Sequence, residues 1–332
     1  MKGIFTISLD FELHWGGFEK WPLDQYQTYF LNTRQVIPEM LNLFQQYGVH
    51  VTWATVGILF HDSYASLKSS IPAQQPGYRV RALSAYAYME NPGIGVNESD
   101  DPFHYAASLV KKIIATPHQE LASHTFAHYY CNEEGQTLEQ FREDLKAAQR
   151  TATALYGKSL HSLVFPRNQF NEDYLRICRE EGFSNVRDNP RDWFWNIRST
   201  QNESIWKRFN RGLDAYFPVG KKNTYTLDSI SFQQELPVCI PASRLLRPYN
   251  PREFFLNSMK ISRIKSEMER AARKQEVYHL WWHPHNFGRY PKESLAGLEK
   301  ILQHFDTCRK NHGMATLSMG EIADLIKRSH AA

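Results

Sequence analysis

The stretch GIFTISLDFE, residues 3–12, is an apolar, β-branched run that ends in two carboxylates. Its composition predicts a buried strand. Asp10 and Glu12 are two residues apart, so on a strand they face the same side. Burying two carboxylates there costs free energy unless a cation or a base pairs with them. The stretch therefore predicts a core strand with a polar site at its end; the alternative is a solvated strand end.

Strand and helix patterns alternate along the rest of the chain. Further strands are predicted at residues 49–57, 118–124, 162–165 and 276–282, with "FSNVR" and "MATL" as shorter candidates. Helices are predicted near residues 26–47, 105–117, 138–156, 172–181, 252–273, 292–311 and 319–328. Two irregular segments, near 60–103 and 192–250, are expected to be insertions. The alternation predicts one domain over residues 1–332, a parallel barrel-like α/β fold.

Composition excludes several classes of protein. The 332 residues are 42% hydrophobic and 22% charged, which is typical of a globular protein, and the net charge of +4 is too small to indicate nucleic-acid binding. The four scattered cysteines are expected to be reduced thiols. No run is apolar enough for a membrane span, and Asp10 interrupts what could have been a signal peptide. We expect a cytoplasmic protein, and an oligomer is possible.

Polar residues cluster where three more predicted strands end. "SHTFAH" places His124 and His128 four residues apart, "VFPRNQ" supplies Arg167, and "HLWWHPHN" supplies His283. In a parallel barrel, such strand ends meet at one face. His279 and His283 share the four-residue spacing, but on an extended strand they lie roughly 13 Å apart and cannot hold one ion.

These residue types fit metal-assisted hydrolysis. One carboxylate and two histidines leave open positions on a divalent ion, as catalytic sites require. The second carboxylate is then available as a base for water, and a separate histidine can protonate a leaving group.

Together the motifs resemble the polysaccharide deacetylase family, carbohydrate esterase family 4. The resemblance implies a distorted (β/α) barrel, of the kind shared by glycoside hydrolases and deacetylases, that uses a divalent metal, most often Zn2+. "LDFE" then gives Asp10 as general base and Glu12 as a metal ligand. "SHTFAH" gives His124 and His128 as the other ligands, and "HLWWHPH" gives His283 as the acid, with His285 as a second candidate.

Two motifs depart from the family pattern. "FPRNQ" has its arginine after the proline, and the resemblance implies that Arg167 orients Asp10. "VRDNPRDWFW" offers Asp188 and Asp192 to tune the catalytic histidine, and the choice stays open. The expected substrate walls are Trp15, Asn168, Gln169, Trp282 and His285.

The implied reaction is hydrolysis of an acetamide on a sugar, with the metal and the backbone N–H of Tyr129 stabilising the oxyanion. A nucleotide-linked or lipid-linked precursor of a surface polysaccharide is the expected substrate. The alternatives are an amide or ureide hydrolase on the same barrel, a glycoside hydrolase using Asp10, and a non-catalytic carbohydrate-binding relative.

Overall fold

A curled sheet with parallel strand pairing forms the centre of the molecule. The computed structural model describes residues 2–195, 205–214, 216 and 223–331. The strands run in the order β6-β5-β4-β3-β2-β1-β8-β7, and β9 pairs with β1. Their bounds are β1 Ile4–Phe11, β2 Val51–Thr55, β3 Gln119–Ser123, β4 Ser162–Leu163, β5 Asn185–Asp188, β6 Val238–Pro241, β7 Arg244–Leu245, β8 Val277–Trp282 and β9 Ala315–Thr316.

Helices connect the strands and cover the outside of the sheet. Their bounds are α1 Leu23–Tyr47, α2 Tyr64–Lys68, α3 Ala85–Tyr88, α4 Ala107–Ala115, α5 Leu138–Tyr156, α6 Glu172–Glu180, α7 Ile205–Asp214, α8 Phe254–Lys274, α9 Pro291–His312 and α10 Met319–Ala331. No helix among the described residues has the length and apolar character needed to cross a bilayer.

The two edge strands of the sheet are consecutive in the chain. β6 pairs with β5, and β7, which begins three residues after β6 ends, pairs with β8. Between them the Ala242 N–H donates to Asp188 O at 2.9 Å, and the Ser243 N–H donates to His279 O at 2.8 Å. This crossing segment, residues 242–243, thus joins both edges and closes the sheet into a distorted barrel. The predicted fold class is confirmed.

The two faces of the sheet carry separate cores because side chains alternate along each strand. On the outer face, Phe5, Ile7 and Leu9 of β1 pack with residues of α1 and α9 such as Phe44 and Leu298. Inside the barrel, Ile4 and Ala54 belong to a cluster with residues of α10, including Met319, Ile322 and Ile326. The Met319 N–H donates to Thr52 Oγ1 at 2.9 Å, so α10 covers the amino-terminal end of the barrel.

The long predicted elements agree with the structure, whereas one predicted insertion is partly wrong. Between β2 and α4 the chain forms only short helices, as the irregular pattern near 60–103 indicates. The segment 192–250, however, contains β6 and β7, which belong to the barrel. Both strands are short, so they give little periodic signal. Part of that segment, residues 196–204, 215 and 217–222, lies outside the described residues.

Candidate metal-dependent active site

The first strand delivers two buried carboxylates to the carboxyl-terminal mouth of the barrel. Asp10 is the penultimate residue of β1 and Glu12 directly follows the strand, and they are 2% and 4% exposed. Such burial of two anions costs several kcal/mol unless positive partners surround them. The surroundings of these two side chains therefore define the site.

Glu12 faces two histidines that follow β3. Its Oε1 lies 2.9 Å from His124 Nε2 and 3.2 Å from His128 Nε2. One ligand atom from each of the three residues fits within 4.8 Å of the others. Burial alone would raise the pKa of Glu12, but His283, His124 and His128 hold it well below its usual value. These three residues, the Glu12 triad, therefore present an ionised carboxylate and two imidazoles to one point.

The triad fits a divalent cation better than it fits protons. His124 Nδ1 lies 2.8 Å from Val164 O, which only accepts, so this nitrogen carries a hydrogen, and in the neutral ring the lone pair lies on Nε2, toward Glu12 Oε1. His128 Nδ1 lies 3.0 Å from Tyr130 Oη, and burial lowers the pKa of His128. Metal-bound histidines are oriented in this way by partners on the other ring nitrogen. A cation bound between His124 Nε2, His128 Nε2 and Glu12 Oε1 would satisfy all three atoms at once.

The loop that carries the histidines is held by a carboxylate on α5. Asp144 Oδ1 accepts from the Phe126 N–H at 2.6 Å, and Oδ2 accepts from the Ala127 N–H at 3.1 Å. Thr125 and His128 have φ values of 62° and 54°, in the left-handed region that non-glycine residues seldom adopt. The two hydrogen bonds to Asp144 therefore offset the free-energy cost of a tight loop conformation that brings His124 and His128 together.

That conformation also alters the expected oxyanion donor. The Tyr129 N–H donates to Thr125 Oγ1 at 2.7 Å. Because this hydrogen is already used, the expectation that Tyr129 stabilises an oxyanion does not fit the structure.

Arg187, rather than Arg167, pairs with Asp10. Its Nη1 and Nη2 donate to Asp10 Oδ1 and Oδ2 at 2.5 and 2.7 Å, a bidentate geometry that gives strong, directional pairing. Burial alone would raise the pKa of Asp10, but Arg187 and the nearby histidines outweigh it, so the pKa lies below its ordinary value. Asp10 is thus held ionised.

Arg167 has different partners. Its guanidinium pairs with Glu19 and lies 3.9 Å from the centre of the Tyr130 ring, with Glu133 Oε1 3.9 Å from Nη1. The backbone of Arg167 has a φ of 54°, in a tight turn after β4. The expected orientation of Asp10 by Arg167 is therefore corrected: Arg167 supports the Tyr130 side of the site instead.

The two histidines after β8 lie on the opposite side of the carboxylates. His283 Nε2 is 3.6 Å from both Asp10 Oδ2 and Glu12 Oε1, and its side chain is 26% exposed. His285 is deeper, its Nδ1 lies 3.8 Å from Glu12 Oε2, and burial lowers its pKa to about 3. His283 is accordingly the histidine of this pair that both touches the carboxylates and reaches solvent.

Of the two aspartates expected as partners of a catalytic histidine, Asp188 points away from the barrel interior. Asp188 follows Arg187 on β5, and successive strand residues point to opposite faces. Since Arg187 points into the barrel, Asp188 points away, and its carboxylate accepts from the Asn189 N–H at 2.7 Å. Burial raises the pKa of Asp188. Asp192 is buried, and its carbonyl accepts from the Trp195 N–H at 2.9 Å.

Both tryptophans expected in the substrate wall are fully buried. Trp15 is 0% exposed and donates from Nε1 to His104 O at 3.0 Å. Trp282 is also 0% exposed and stacks on Phe287 behind the sheet. Trp281 instead shares the inner face with His283, and the Arg187 guanidinium lies 4.2 Å from the centre of its ring. Trp281, therefore, is the tryptophan of this strand that borders the site.

The two polar residues after Arg167 support the wall of the site in different ways. Asn168 Oδ1 accepts from Arg187 Nη2 at 3.1 Å, so it helps to position the arginine. Gln169 is 0% exposed, and its Nε2 donates to Glu133 Oε1 at 3.0 Å. Full burial does not fit the expected contact between Gln169 and substrate.

Two residues of the site were missed by sequence reasoning, Arg187 and Trp281. A signal existed for both. An arginine in the predicted short strand "FSNVR" indicates a nearby anion, although the sequence does not say that this anion is Asp10. The alternation of side chains that places His283 inward also places Trp281, rather than Trp282, on that face.

Comparison with known proteins supports the assignment of the fold. The family model described as polysaccharide deacetylase matches residues 23–186. That range includes His124 and His128, whereas Asp10, Glu12, Arg187 and His283 lie outside it. A search of the curated proteins found no match.

Solved structures match along nearly the whole chain. A putative polysaccharide deacetylase from Mycobacterium smegmatis has a TM-score of 0.59 at 12% identity, over 99% of this chain and 92% of that one. A probable polysaccharide deacetylase from Pseudomonas aeruginosa PAO1 has a TM-score of 0.59 at 15% identity, over 100% and 93%. Puue allantoinase has a TM-score of 0.57 at 13% identity, over 100% and 92%. At these identities the likeness shows the fold alone, and the polysaccharide deacetylase family model matches residues 23–186, just under half of the chain.

Proposed function

We propose that this protein is a metal-dependent hydrolase that removes the acetyl group from an N-acetylated sugar. Glu12, His124 and His128 are the proposed ligands of a divalent cation, which we propose to be Zn2+. Asp10 is the proposed base and His283 the proposed acid.

One observation carries the proposal. Glu12 Oε1 lies at 2.9 and 3.2 Å from two histidine nitrogens, and the same oxygen is 3.6 Å from His283 Nε2. A carboxylate and two oriented imidazoles suit Zn2+ and leave coordination positions open. The base and the acid of an amide hydrolysis then lie on either side of that point.

The cation, Asp10 and His283 each have a separate role in the proposed hydrolysis. When bound, a divalent cation supplies Lewis-acid polarisation of an amide carbonyl. Asp10, kept ionised by Arg187, accepts a proton from the attacking water. His283 delivers a proton to the amine nitrogen as the C–N bond breaks, and the products are acetate and the free amino sugar. Its 26% exposure allows it to exchange protons with solvent between turnovers.

Burial of the site favours a substrate that presents its acetyl group at an end. Asp10, Glu12, His124 and His128 are each at most 4% exposed. A nucleotide-linked or lipid-linked monosaccharide can place one acetamide in such a recess, so we propose a precursor of a surface polysaccharide as the substrate.

The metal site is tested by titration calorimetry with ZnCl2 on metal-stripped protein, comparing the parent chain with His124→Ala. We expect His124→Ala to lose one high-affinity ion. His161→Ala is the matched control, since His161 is an exposed histidine near the start of β4 and should leave binding unchanged. Equal binding by the parent and His124→Ala would overturn the proposed ligand set.

The reaction is tested by measuring acetate released from UDP-linked N-acetyl sugars by the zinc-loaded protein. We expect Asp10→Asn to reduce the rate by roughly 10²–10⁴-fold, since it removes the base and keeps the side-chain shape. No acetate from any of these sugars, with the Glu12 triad filled by zinc, would overturn the proposed substrate class.

A second candidate is the hydrolysis of a small cyclic ureide. The fold is similar to that of an allantoinase, with a TM-score of 0.57, as well as to those of two deacetylases, with TM-scores of 0.59. Opening a cyclic ureide creates a new carboxylic acid, so a pH-stat detects it without acetate. Acid production from a ureide, with no acetate from sugars, would favour this candidate.

A further inference from the structure

A second group of metal-binding side chains lies far from the mouth of the barrel, between the neighbouring helices α8 and α9. His304, Cys308 and His312 are spaced four residues apart on α9, so they share one helix face. Glu269 of α8 lies opposite them. Ligand atoms of Glu269, His304 and Cys308 all fit within 4.8 Å of one another.

The contacts divide between the two oxygens of Glu269. Oε2 lies 3.3 Å from Cys308 Sγ and 3.7 Å from His304 Nε2. Oε1 lies 3.0 Å from His312 Nε2 and 2.9 Å from Arg273 Nε. His312 and Arg273 thus orient the carboxylate, while Oε2 is directed toward the thiol and the imidazole.

We propose that Glu269, His304 and Cys308 form a zinc site that joins α8 to α9, with His312 as a positioning residue. Thiolate, imidazole and carboxylate together are a donor set that Zn2+ accepts and that hard cations such as Mg2+ do not. Cys308 is buried, whereas Glu269 and His304 are 27% and 22% exposed, so a cation can enter from the surface. The site is independent of the Glu12 triad and contains sulfur, which the triad lacks.

Zinc binding at this site would release the proton of the Cys308 thiol, because the thiolate is the form that binds a metal. His304 Nε2 is 3.0 Å from Lys265 O, and ligation through that atom exchanges this hydrogen bond for a metal bond.

The site is tested with Co2+ and Zn2+ on the metal-stripped full chain. Thiolate ligation of Co2+ gives a charge-transfer absorption in the near ultraviolet, whereas the Glu12 triad, having no sulfur, cannot produce it. We expect this band in the parent protein and in His124→Ala, and its loss in Cys308→Ser. Cys239→Ser, which changes a half-buried cysteine on β6, is the control that keeps the band.

Two further variants separate ligation from folding. His304→Gln changes a partly exposed side chain and should leave the unfolding transition of the metal-free protein unchanged while abolishing the band. His312→Ala should weaken Co2+ binding by about 10–100-fold and keep the band at saturation, because it removes a hydrogen bond to a ligand. Absence of the band in the parent protein, or its persistence in Cys308→Ser, would overturn the proposal whatever the outcome at the Glu12 triad.

Discussion

The guanidinium of Arg187 lies wholly inside the barrel, between Asp10, Ser8 and the ring of Trp281. It donates to both oxygens of Asp10, to Ser8 Oγ at 3.2 Å and to Asn168 Oδ1 at 3.1 Å. A planar fork makes these contacts at once, and a lysine ammonium cannot reproduce them. The arginine therefore neutralises a buried carboxylate and also fixes its orientation.

This pairing predicts strong energetic coupling between Asp10 and Arg187. In a double-mutant cycle of Asp10→Asn and Arg187→Lys, we expect the unfolding free energies to deviate from additivity by about 1–3 kcal/mol. The same cycle with Arg167→Lys should be additive within about 0.5 kcal/mol, because Arg167 pairs with Glu19. Urea denaturation measures both. Equal coupling in the two cycles would contradict the assignment of Arg187 to Asp10.

The adjacent residues Trp281 and Trp282 should respond differently to the same substitution. Trp282→Phe removes volume from the outer core, so we expect a loss of about 1–3 kcal/mol of unfolding free energy with kcat/KM unchanged. Trp281→Phe weakens the ring contact with Arg187, so we expect kcat/KM to fall roughly 2–10-fold. Steady-state kinetics and denaturation on the two variants check this, and a larger kinetic effect of Trp282→Phe would contradict it.

At the scale of the element, α5 supports the candidate site through Asp144, which holds the loop that carries His124 and His128. Burial raises the pKa of Asp144 to about 7, from an ordinary value of 3.8, although two backbone N–H groups favour the charged form. Between those values the unfolded chain is ionised while the folded protein still holds the proton. The contribution of this group to stability therefore falls as the pH rises from 3.8 to about 7.

Asp144→Asn tests both roles of this residue. Its amide can replace one acceptor oxygen but not both, so at pH 7 we expect a loss of about 1–3 kcal/mol and weaker zinc binding at His124 and His128. The stability advantage of the parent over the variant should shrink as the pH rises from 4 to 7. Denaturation across this range measures it, with Asp173→Asn on the exposed side of α6 as control. A difference that does not depend on pH would show that Asp144 is ionised throughout.

The elements predicted from the sequence are those with a long periodic pattern. α5 was predicted at 138–156 and occupies those residues, and β1 differs from its prediction by one residue at each end. The proximity of His124 and His128 to Glu12 could be predicted, because their spacing after a strand combines with the carboxylate at the end of β1. The partner of Asp10 could not, because Arg167 and Arg187 both follow or lie in apolar strands and only the fold shows which one points inward.

β6 and β7 illustrate a different limit. Val238–Pro241 and Arg244–Leu245 are too short for a pattern of alternation, and they pair with strands distant in sequence. Their strand character comes from neighbours that the sequence does not reveal, since strand propensity depends on context.

At the scale of the whole molecule, α10 closes the amino-terminal end of the barrel. Ile322 is 0% exposed and packs with inward residues of β1, β2 and β3. We expect Ile322→Ala to lower the unfolding free energy by about 2–5 kcal/mol while leaving zinc affinity unchanged, since the Glu12 triad lies at the other end of the barrel. Leu155→Ala, at a partly exposed position of α5, is the control. Loss of zinc affinity in Ile322→Ala would show that the two ends of the barrel are coupled.

The position of β1 beside β8 has a consequence for the order of events during synthesis. Ile4 pairs with Val277, and Leu9 pairs with Trp282. One edge of β1 therefore remains unpaired while about 270 residues emerge from the ribosome. Until then Asp10 and Glu12 have no His283, and an apolar strand presents an unpaired edge to other chains. We therefore expect slow translation, or truncation before Val277, to give an intermediate prone to aggregation. A nascent chain acquires His283, the proposed acid, only after β8 has been added.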